Sequence, residues 1–141
     1  MVHALERAAA LLAPGGAIVD LHPTPEPAHL DVMIGSNVTR IADRVDDGSP
    51  TAPTRRHAAA DAALAACERS GVLIVRATIE FTFHTLADDV DELLRYVATK
   101  WKQLHFAEAD LRRARERLGG SAGATVAITE RVRATRMDAG R

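Results

Sequence analysis

The sequence predicts an α/β fold with a mixed sheet, and three observations lead to this prediction. Residues 54 to 69 form an alanine-rich segment with helical periodicity, which Gly71 ends. Residues 72 to 85 alternate apolar and polar side chains, as a strand with two different faces does. Helical and strand-like segments also alternate along the chain, which is typical of layered α/β domains. The predicted organisation is one domain of residues 1 to 141, with a frayed tail from residue 137.

Length, composition and charge restrict the class of protein. The chain has 141 residues, of which 47% are hydrophobic and 26% charged, and this suits a globular domain with its own core. The 18 lysines and arginines nearly balance the 19 aspartates and glutamates, so we expect no general attraction to nucleic acid or to an anionic membrane. Cys67 is the single cysteine, which excludes an internal disulfide and favours a cytoplasmic setting.

The first third of the chain predicts a helix, a strand and a hairpin. Residues 3 to 13 carry apolar side chains at helical spacing, and the sequence PGG at positions 14 to 16 ends that helix. The apolar run over residues 17 to 21 fits a strand buried on both faces, as in parallel sheets. After a proline-rich loop, apolar residues flank Gly35-Ser36-Asn37 and predict a hairpin over residues 30 to 45.

The rest of the chain predicts three helices and two strands. A turn-rich linker over residues 46 to 53 leads into the alanine-rich helix, and the long strand of residues 72 to 85 follows. Two amphipathic helices begin near Asp88 and Ala107, and a last strand begins near Ala124. The buried stripe of the alanine-rich helix contains Ala60, Leu64 and Cys67, and the polar face of the long strand carries Arg76, Thr78, Glu80, Thr82 and His84.

Four stretches resemble the C-terminal half of class I S-adenosylmethionine-dependent methyltransferases. The segment ALERAAALLAPGGAIVD resembles the helix, Pro-Gly-Gly turn and fifth strand of that family, and HAAADAALAACERSG resembles the next helix. VLIVRATIEFTFHT with DDVDELLRYVATKW resembles the sixth strand and an inserted helix, and ATVAITERVRATRM the last, antiparallel strand. The resemblance implies a partial Rossmann-like fold with an added hairpin. A complete relative would transfer a methyl group to a small molecule.

The sequence contains no counterpart of that family's cofactor-binding residues. The family binds S-adenosylmethionine through a glycine-rich loop after the first strand and an acidic residue at the end of the second strand, because glycine lets the backbone approach the ligand closely. Here Gly15-Gly16 and Gly119-Gly120 both follow helices. We therefore expect no bound cofactor in the isolated chain, and a domain that is inactive alone. The first half of the fold is expected to be absent from these residues: the gene is truncated, or its true start lies upstream, or a half-domain has been retained for another use.

Asp20, His22 and His29 are the candidates for a substrate pocket. They lie at or just after the C-terminal end of the first predicted strand, the edge at which open α/β sheets bind ligands. The resemblance implies that side chains there line the acceptor pocket, where a histidine can act as a base. The alternative is an exposed loop histidine among prolines. The spacing of the histidines predicts no metal site, and Cys67 fits a buried structural thiol.

Three functions stay open at this point. The first is the methyltransferase-like domain without activity of its own, the second a non-catalytic dimerising or ligand-binding α/β module. The third is a small enzyme that uses His22 without S-adenosylmethionine. In the resembled fold the strand of residues 17 to 21 lies between the fourth strand and the last strand. Its unpaired edge predicts a homodimer or a partner chain, unless the hairpin covers this edge and leaves a monomer.

Overall fold

The helices and strands of the computed structural model lie within residues 2–45, 52–101 and 104–140, which are the residues that the structure describes. They form an α/β fold of four helices and a five-stranded antiparallel sheet. The helices are α1 (Val2–Ala10), α2 (Pro53–Arg69), α3 (Val90–Lys100) and α4 (Glu108–Gly119). The strands are β1 (Ala17–Pro23), β2 (His29–Ile34), β3 (Asn37–Asp43), β4 (Leu73–Ala87) and β5 (Ala124–Ala139).

β5 is the strand with which three other strands pair. β1 lies antiparallel to its C-terminal half, and β2 lies antiparallel to its N-terminal half. β4 also pairs with β5, and the contacts of His84 with Thr129 and of Glu80 with Arg133 give this pair an antiparallel direction. The α/β class is therefore confirmed, but the prediction of a mixed sheet is wrong. The reason is that one long strand is the antiparallel neighbour of three others.

β1 is an edge strand with one exposed face. Among the described residues its strand partner is β5 alone. Val19 and Leu21 are 68% and 62% exposed, whereas Ile18, Asp20 and His22 are partly buried on the opposite face. The prediction of a parallel strand buried on both faces is wrong. The sequence of residues 17 to 21 is typical of a strand buried on both faces, because aliphatic side chains lie on both faces of β1, including the exposed face.

Unit 1 is one of two compact units into which residue contacts divide the chain, and it comprises Met1–Pro25, Thr54–Phe81 and Arg131–Arg141. Its core consists of Leu64 and Cys67 from α2, Leu73 from β4 and Met137 from β5. Because Met137 is fully buried and β5 continues to Ala139, the frayed tail predicted from residue 137 is wrong for the described residues 137 to 139.

Unit 2 comprises Glu26–Pro53 and Thr82–Glu130 and has the larger apolar core. The predicted hairpin is confirmed, because β2 and β3 pair with Ile34 opposite Asn37 and leave a two-residue loop. Gly35 in that loop has a φ of 57°, which fits the first position of a tight hairpin turn. α3 and α4 cover the hairpin and the first half of β5 with a shared core that includes Leu30, Val32, Leu93, Leu111, Val126 and Ile128.

The helix predictions are confirmed with small shifts at the helix ends. α2 follows the predicted span closely, whereas α1 ends at Ala10, three residues before its predicted end. Residues 46 to 51 of the predicted linker lie outside the described residues. Each unit is discontinuous in sequence, and the prediction of one domain over residues 1 to 141 stays a prediction. None of the helices that the structure describes is both long and apolar enough to span a membrane.

Candidate functional site

Asp20 and His22 lie on the same face of β1, because side chains two residues apart in a strand point the same way. His22 is directly opposite Arg133 of β5 in the antiparallel register. Its Nδ1 atom contacts the carboxylate of Asp20, and its Nε2 atom lies 3.0 Å from Oδ1 of Asp61 on α2. The imidazole of His22 is therefore held between two carboxylates that come from different elements.

Arg133 extends this contact into a network. Its Nη1 atom donates to Oδ1 of Asp61 at 2.5 Å, and its Nη2 and Nε atoms donate to Oε1 of Glu80 at 2.8 and 3.0 Å. Arg131 donates through Nε to Oε2 of Glu80 at 2.9 Å. Hydrogen bonds from Arg133 and Arg131 hold the pKa of Glu80 below its usual value. The Asp61 network is the name used below for Asp20, His22, Asp61, Glu80, Arg131 and Arg133.

The Asp61 network restricts what His22 can do chemically. The side chain of His22 is only 11% exposed, and each of its ring nitrogens faces a carboxylate oxygen. An imidazole donates to two carboxylates only when both nitrogens carry a proton. To act as a base, His22 would first have to release Asp20 or Asp61. The contacts of His22 therefore fit a role in which its ring orients Asp20 and Asp61 at the end of β1. A role for His22 as a base requires a rearrangement of these contacts.

His29, the third candidate, has different neighbours. It begins β2 in unit 2, where its Nε2 atom accepts from Nη2 of Arg40 at 3.0 Å. The same nitrogen lies 3.6 Å from Oδ2 of Asp31. The structure thus brings Asp20 and His22 together and gives His29 separate contacts.

Sequence reasoning missed Asp61 and Arg133 as members of this site. Asp61 is the one charge within the segment AAADAALAA, and a charge among alanines on a helix that packs against a sheet needs a partner. Arg133 was hidden in an arginine-rich strand, although strand alternation places it on the same face as Arg131. The sequence therefore showed the isolated charge of Asp61 and the strand face of Arg133. Neither feature indicates which residue the side chain contacts.

The described residues give little support for a metal site or for a reactive thiol. Within residues 2–45, 52–101 and 104–140, no group of three or more His, Cys, Asp or Glu side chains is placed to hold a metal ion. Cys67 is buried in the core of unit 1, and this burial raises the pKa of its thiol. A raised thiol pKa disfavours the nucleophilic thiolate, as expected for a structural cysteine.

Comparison with known proteins gives no relative for this chain. It matches no protein-family model, no curated protein and no solved structure. Any function assigned to the chain must therefore rest on its own geometry and chemistry.

Proposed function

We propose that the chain is a methyltransferase-like half-domain, similar to the C-terminal half of the class I fold and without methyl transfer of its own. The observation that carries the proposal is the neighbour of β1. The strand that follows the Pro-Gly-Gly turn lies antiparallel beside the last strand of the chain, from Ala17 opposite Asp138 to Pro23 opposite Val132. The resemblance requires this neighbour for the fifth strand of the family. Asp20 and His22 then stand on the acceptor side of the fold.

The connections between elements support the absence of independent activity. Of the glycines with positive φ in the described residues, Gly15, Gly71 and Gly123 precede strands, and Gly35 lies in the hairpin. The turn from β4 to α3 carries Asp88 and Asp89, and Asp89 caps the helix by accepting from a backbone N–H at 2.7 Å. An acidic cap occupies the helix end that would otherwise attract an anionic ligand group. A cofactor-binding half would come from polypeptide other than these 141 residues, in the same protein or in a partner.

The outer edge of β1 is the surface through which such a half would join. In the resembled fold, the fourth strand pairs with this edge. The hairpin does not take that place, because β2 pairs with β5 and not with β1. An unpaired edge with apolar side chains such as Val19 and Leu21 pairs readily with another strand.

A dimerising α/β module is the second candidate, and the exposed apolar side chains of unit 1 favour it. Val19 and Leu21 on β1 and Ile79 and Phe81 on β4 are all exposed. Exposed apolar patches mark interaction surfaces, and two β1 edges can pair about a two-fold axis. This candidate requires neither a cofactor nor a catalytic histidine.

A fusion protein tests the first candidate. The N-terminal half of an S-adenosylmethionine-dependent methyltransferase, up to and including its fourth strand, is joined to the N-terminus of the chain. We expect calorimetric titration to show S-adenosylmethionine binding by the fusion and none by the chain alone. Val19→Lys in the fusion should weaken binding because it places a charge beside the new strand, whereas Val38→Lys on β3 should not.

Two outcomes would reject the proposal. One is a folded, monomeric fusion that binds no better than the donor half alone. The other is equal binding by the Val19→Lys and Val38→Lys fusions, since the β1 edge would then play no part in the assembly. A stable dimer of the chain alone that excludes the donor half would support the dimerising module instead.

A further inference from the structure

His29, the first residue of β2, places one ring nitrogen beside two side chains of opposite character. Its Nε2 atom lies 3.0 Å from Nη2 of Arg40 and 3.6 Å from Oδ2 of Asp31. A guanidinium can only donate hydrogen bonds, and a carboxylate can only accept them. Nε2 can therefore bond to only one of these neighbours at a time, and its protonation decides which one.

The strand register within unit 2 brings these side chains together. His29 lies opposite Asp43 on β3 and opposite Thr129 on β5. After a register shift in the hairpin, Asp31 lies opposite Arg40 on β3. Residues that are opposite each other in a sheet share a face, and the apolar core of unit 2 lies on the other face. Arg40 is also 3.6 Å from Asp43, so it has a second carboxylate within reach.

The contact with Arg40 defines the neutral state of His29. Arginine keeps its charge and has no acceptor atom, so Nη2 of Arg40 donates and Nε2 carries no proton. The single proton of the neutral ring is then on Nδ1. In this state the ring offers no hydrogen bond to Asp31, which is only 2% exposed and accepts through Oδ2 from the hydroxyl of Thr129 at 2.6 Å. Its other oxygen, Oδ1, is buried and has no hydrogen-bond partner among the described residues.

A proton on Nε2 reverses the preference of His29. The protonated ring cannot accept from Arg40, and the two side chains then carry like charges. The side chain of Arg40 is 60% exposed, so water or Asp43 can take over its hydrogen bonds at little cost. Asp31 is buried and has a single donor, and a buried acceptor without enough donors is costly. The protonated ring therefore gains most by donating to Asp31.

The other polar groups around His29 have partners of their own. The hydroxyl of Thr129, which donates to Asp31, also lies 2.9 Å from Nδ1 of His84 on β4. Arg131, two residues after Thr129 on β5, donates to Glu80. Of the described side chains, Arg40 and Asp31 are those that contact Nε2 of His29.

We propose that His29 is a proton-operated switch in the hairpin. The neutral ring accepts from Arg40, whereas the ring that has taken a proton from solvent donates from Nε2 to Asp31 and releases Arg40 to Asp43. Histidine is the side chain that ordinarily changes its charge between about pH 5 and pH 8. The switch thus changes the contacts of a cation on β3, the last strand in the order of the sheet. It is independent of the proposed methyltransferase-like function, because it shares no residue with the Asp61 network.

Side-chain ¹⁵N NMR of the isotope-labelled full chain between about pH 8 and pH 5 tests the proposal. At the upper end the shifts of His29 should place its proton on Nδ1, and at the lower end both ring nitrogens should be protonated. The side-chain signals of Arg40 should change over the same pH interval as those of His29. The signals of Arg115, which pairs with Asp91 and Glu108, should not follow His29. A proton on Nε2 at the upper end, or constant Arg40 signals while His29 titrates, would overturn the proposal.

Two substitutions should move the midpoint of the His29 titration in opposite directions. Asp31→Asn removes the charge that the protonated ring faces and should lower the midpoint by about one pH unit. Arg40→Met removes the donor that favours the neutral ring and should raise the midpoint. Arg112→Met, which removes an exposed arginine on α4, is the control and should leave the midpoint unchanged.

The opposite signs distinguish a switch from a structural histidine. Shifts of the same sign in Asp31→Asn and Arg40→Met would show that the proposal is wrong. If Asp31→Asn does not fold, Arg40→Met decides alone, because an unchanged or lowered midpoint in that variant contradicts the role of Arg40.

Discussion

Nε2 of His22 lies 3.0 Å from Oδ1 of Asp61, and this contact joins the end of β1 to the middle of α2. Arg133 of β5 donates to the same oxygen, so one carboxylate connects two neighbouring strands with the helix that covers them. The side chain of Asp61 is 25% exposed, which shields these contacts from water more than a surface ion pair. We therefore regard Asp61 as the centre of its network.

Replacement of Asp61 by asparagine tests this interpretation. Asp61→Asn keeps the shape of the side chain but removes the charge that His22 and Arg133 share. We expect the free energy of unfolding to fall by about 1–3 kcal/mol, measured by urea denaturation. Asp91→Asn is the matched control, because Asp91 is 67% exposed and pairs with Arg115, and its loss should destabilise the chain far less than the loss of Asp61. Equal losses in the two variants would contradict a central role for Asp61.

The pH dependence of stability should reveal the contacts of Glu80. Hydrogen bonds from Arg133 and Arg131 lower the pKa of Glu80 in the folded chain below the usual value of 4.5. A lowered folded pKa gives stability that is present above the unfolded pKa and is lost as the pH falls through the folded pKa. Glu80→Gln should therefore flatten the decrease in unfolding free energy below pH 4.5, measured by denaturation at a series of pH values.

The pKa of Glu130 is shifted in the opposite direction from that of Glu80, which allows a comparison. Burial raises its pKa above the usual value of 4.5, and the charge of Arg44 counteracts this only in part. Stability linked to Glu130 is therefore present below the unfolded pKa and decreases as the pH rises from 4.5 towards the folded pKa. Glu130→Gln should remove that decrease. The same slope change in both variants would mean that one of the two assigned environments is wrong.

Met137 tests the ordered end of β5. Its side chain is fully buried against Leu64, Cys67 and Leu73, so Met137→Ala should lower the free energy of unfolding by about 2–5 kcal/mol. Arg136→Ala, at the exposed neighbouring position, should change it by less than about 0.5 kcal/mol. Thermal or urea unfolding measures both. A negligible effect of Met137→Ala would restore the frayed tail that the sequence suggested.

The exposed edge of β1 predicts self-association of the isolated chain. Light scattering at micromolar concentration should give the mass of a dimer. Val19→Lys should shift the mass towards the monomer, because an edge lysine opposes strand pairing. Val38→Lys places the same charge on β3, which pairs with β2 and not with β1, and should leave the dimer intact. A monomer mass for the unchanged chain would show that the dimer prediction is wrong.

Local patterns predicted the elements of this fold well and their arrangement less well. The alanine-rich segment that ends at Gly71 predicted α2, and Gly35 between two apolar segments predicted the hairpin. Both predictions succeeded because helix ends and tight turns depend on only a few neighbouring residues. The sheet direction was not predictable in the same way. β5 is the antiparallel neighbour of strands as distant in sequence as β1 and β4, and nothing local to β1 reports that neighbour.

The candidate site was likewise predicted only where it depends on residues that are close in sequence. The strand period was enough to place Asp20 and His22 together, since they are two residues apart on β1. Their partner Asp61 lies 39 residues beyond His22, on a helix whose covering role depends on tertiary packing. His29 was grouped with them because it is near in sequence, yet its contacts are with Arg40 and Asp31. Proximity in sequence therefore identified two of the six residues of the Asp61 network and added one residue with a different environment.

Calorimetric titration of the isolated chain with S-adenosylmethionine tests the half-domain account most directly. The account predicts no binding heat at cofactor concentrations up to the millimolar range, because under the proposal this chain corresponds to the acceptor side of the fold, and the described residues contain no glycine-rich βα turn. The chain should be shown to be folded in the same buffer, so that the lack of heat reports the site and not an unfolded sample. Micromolar affinity for S-adenosylmethionine would contradict the account.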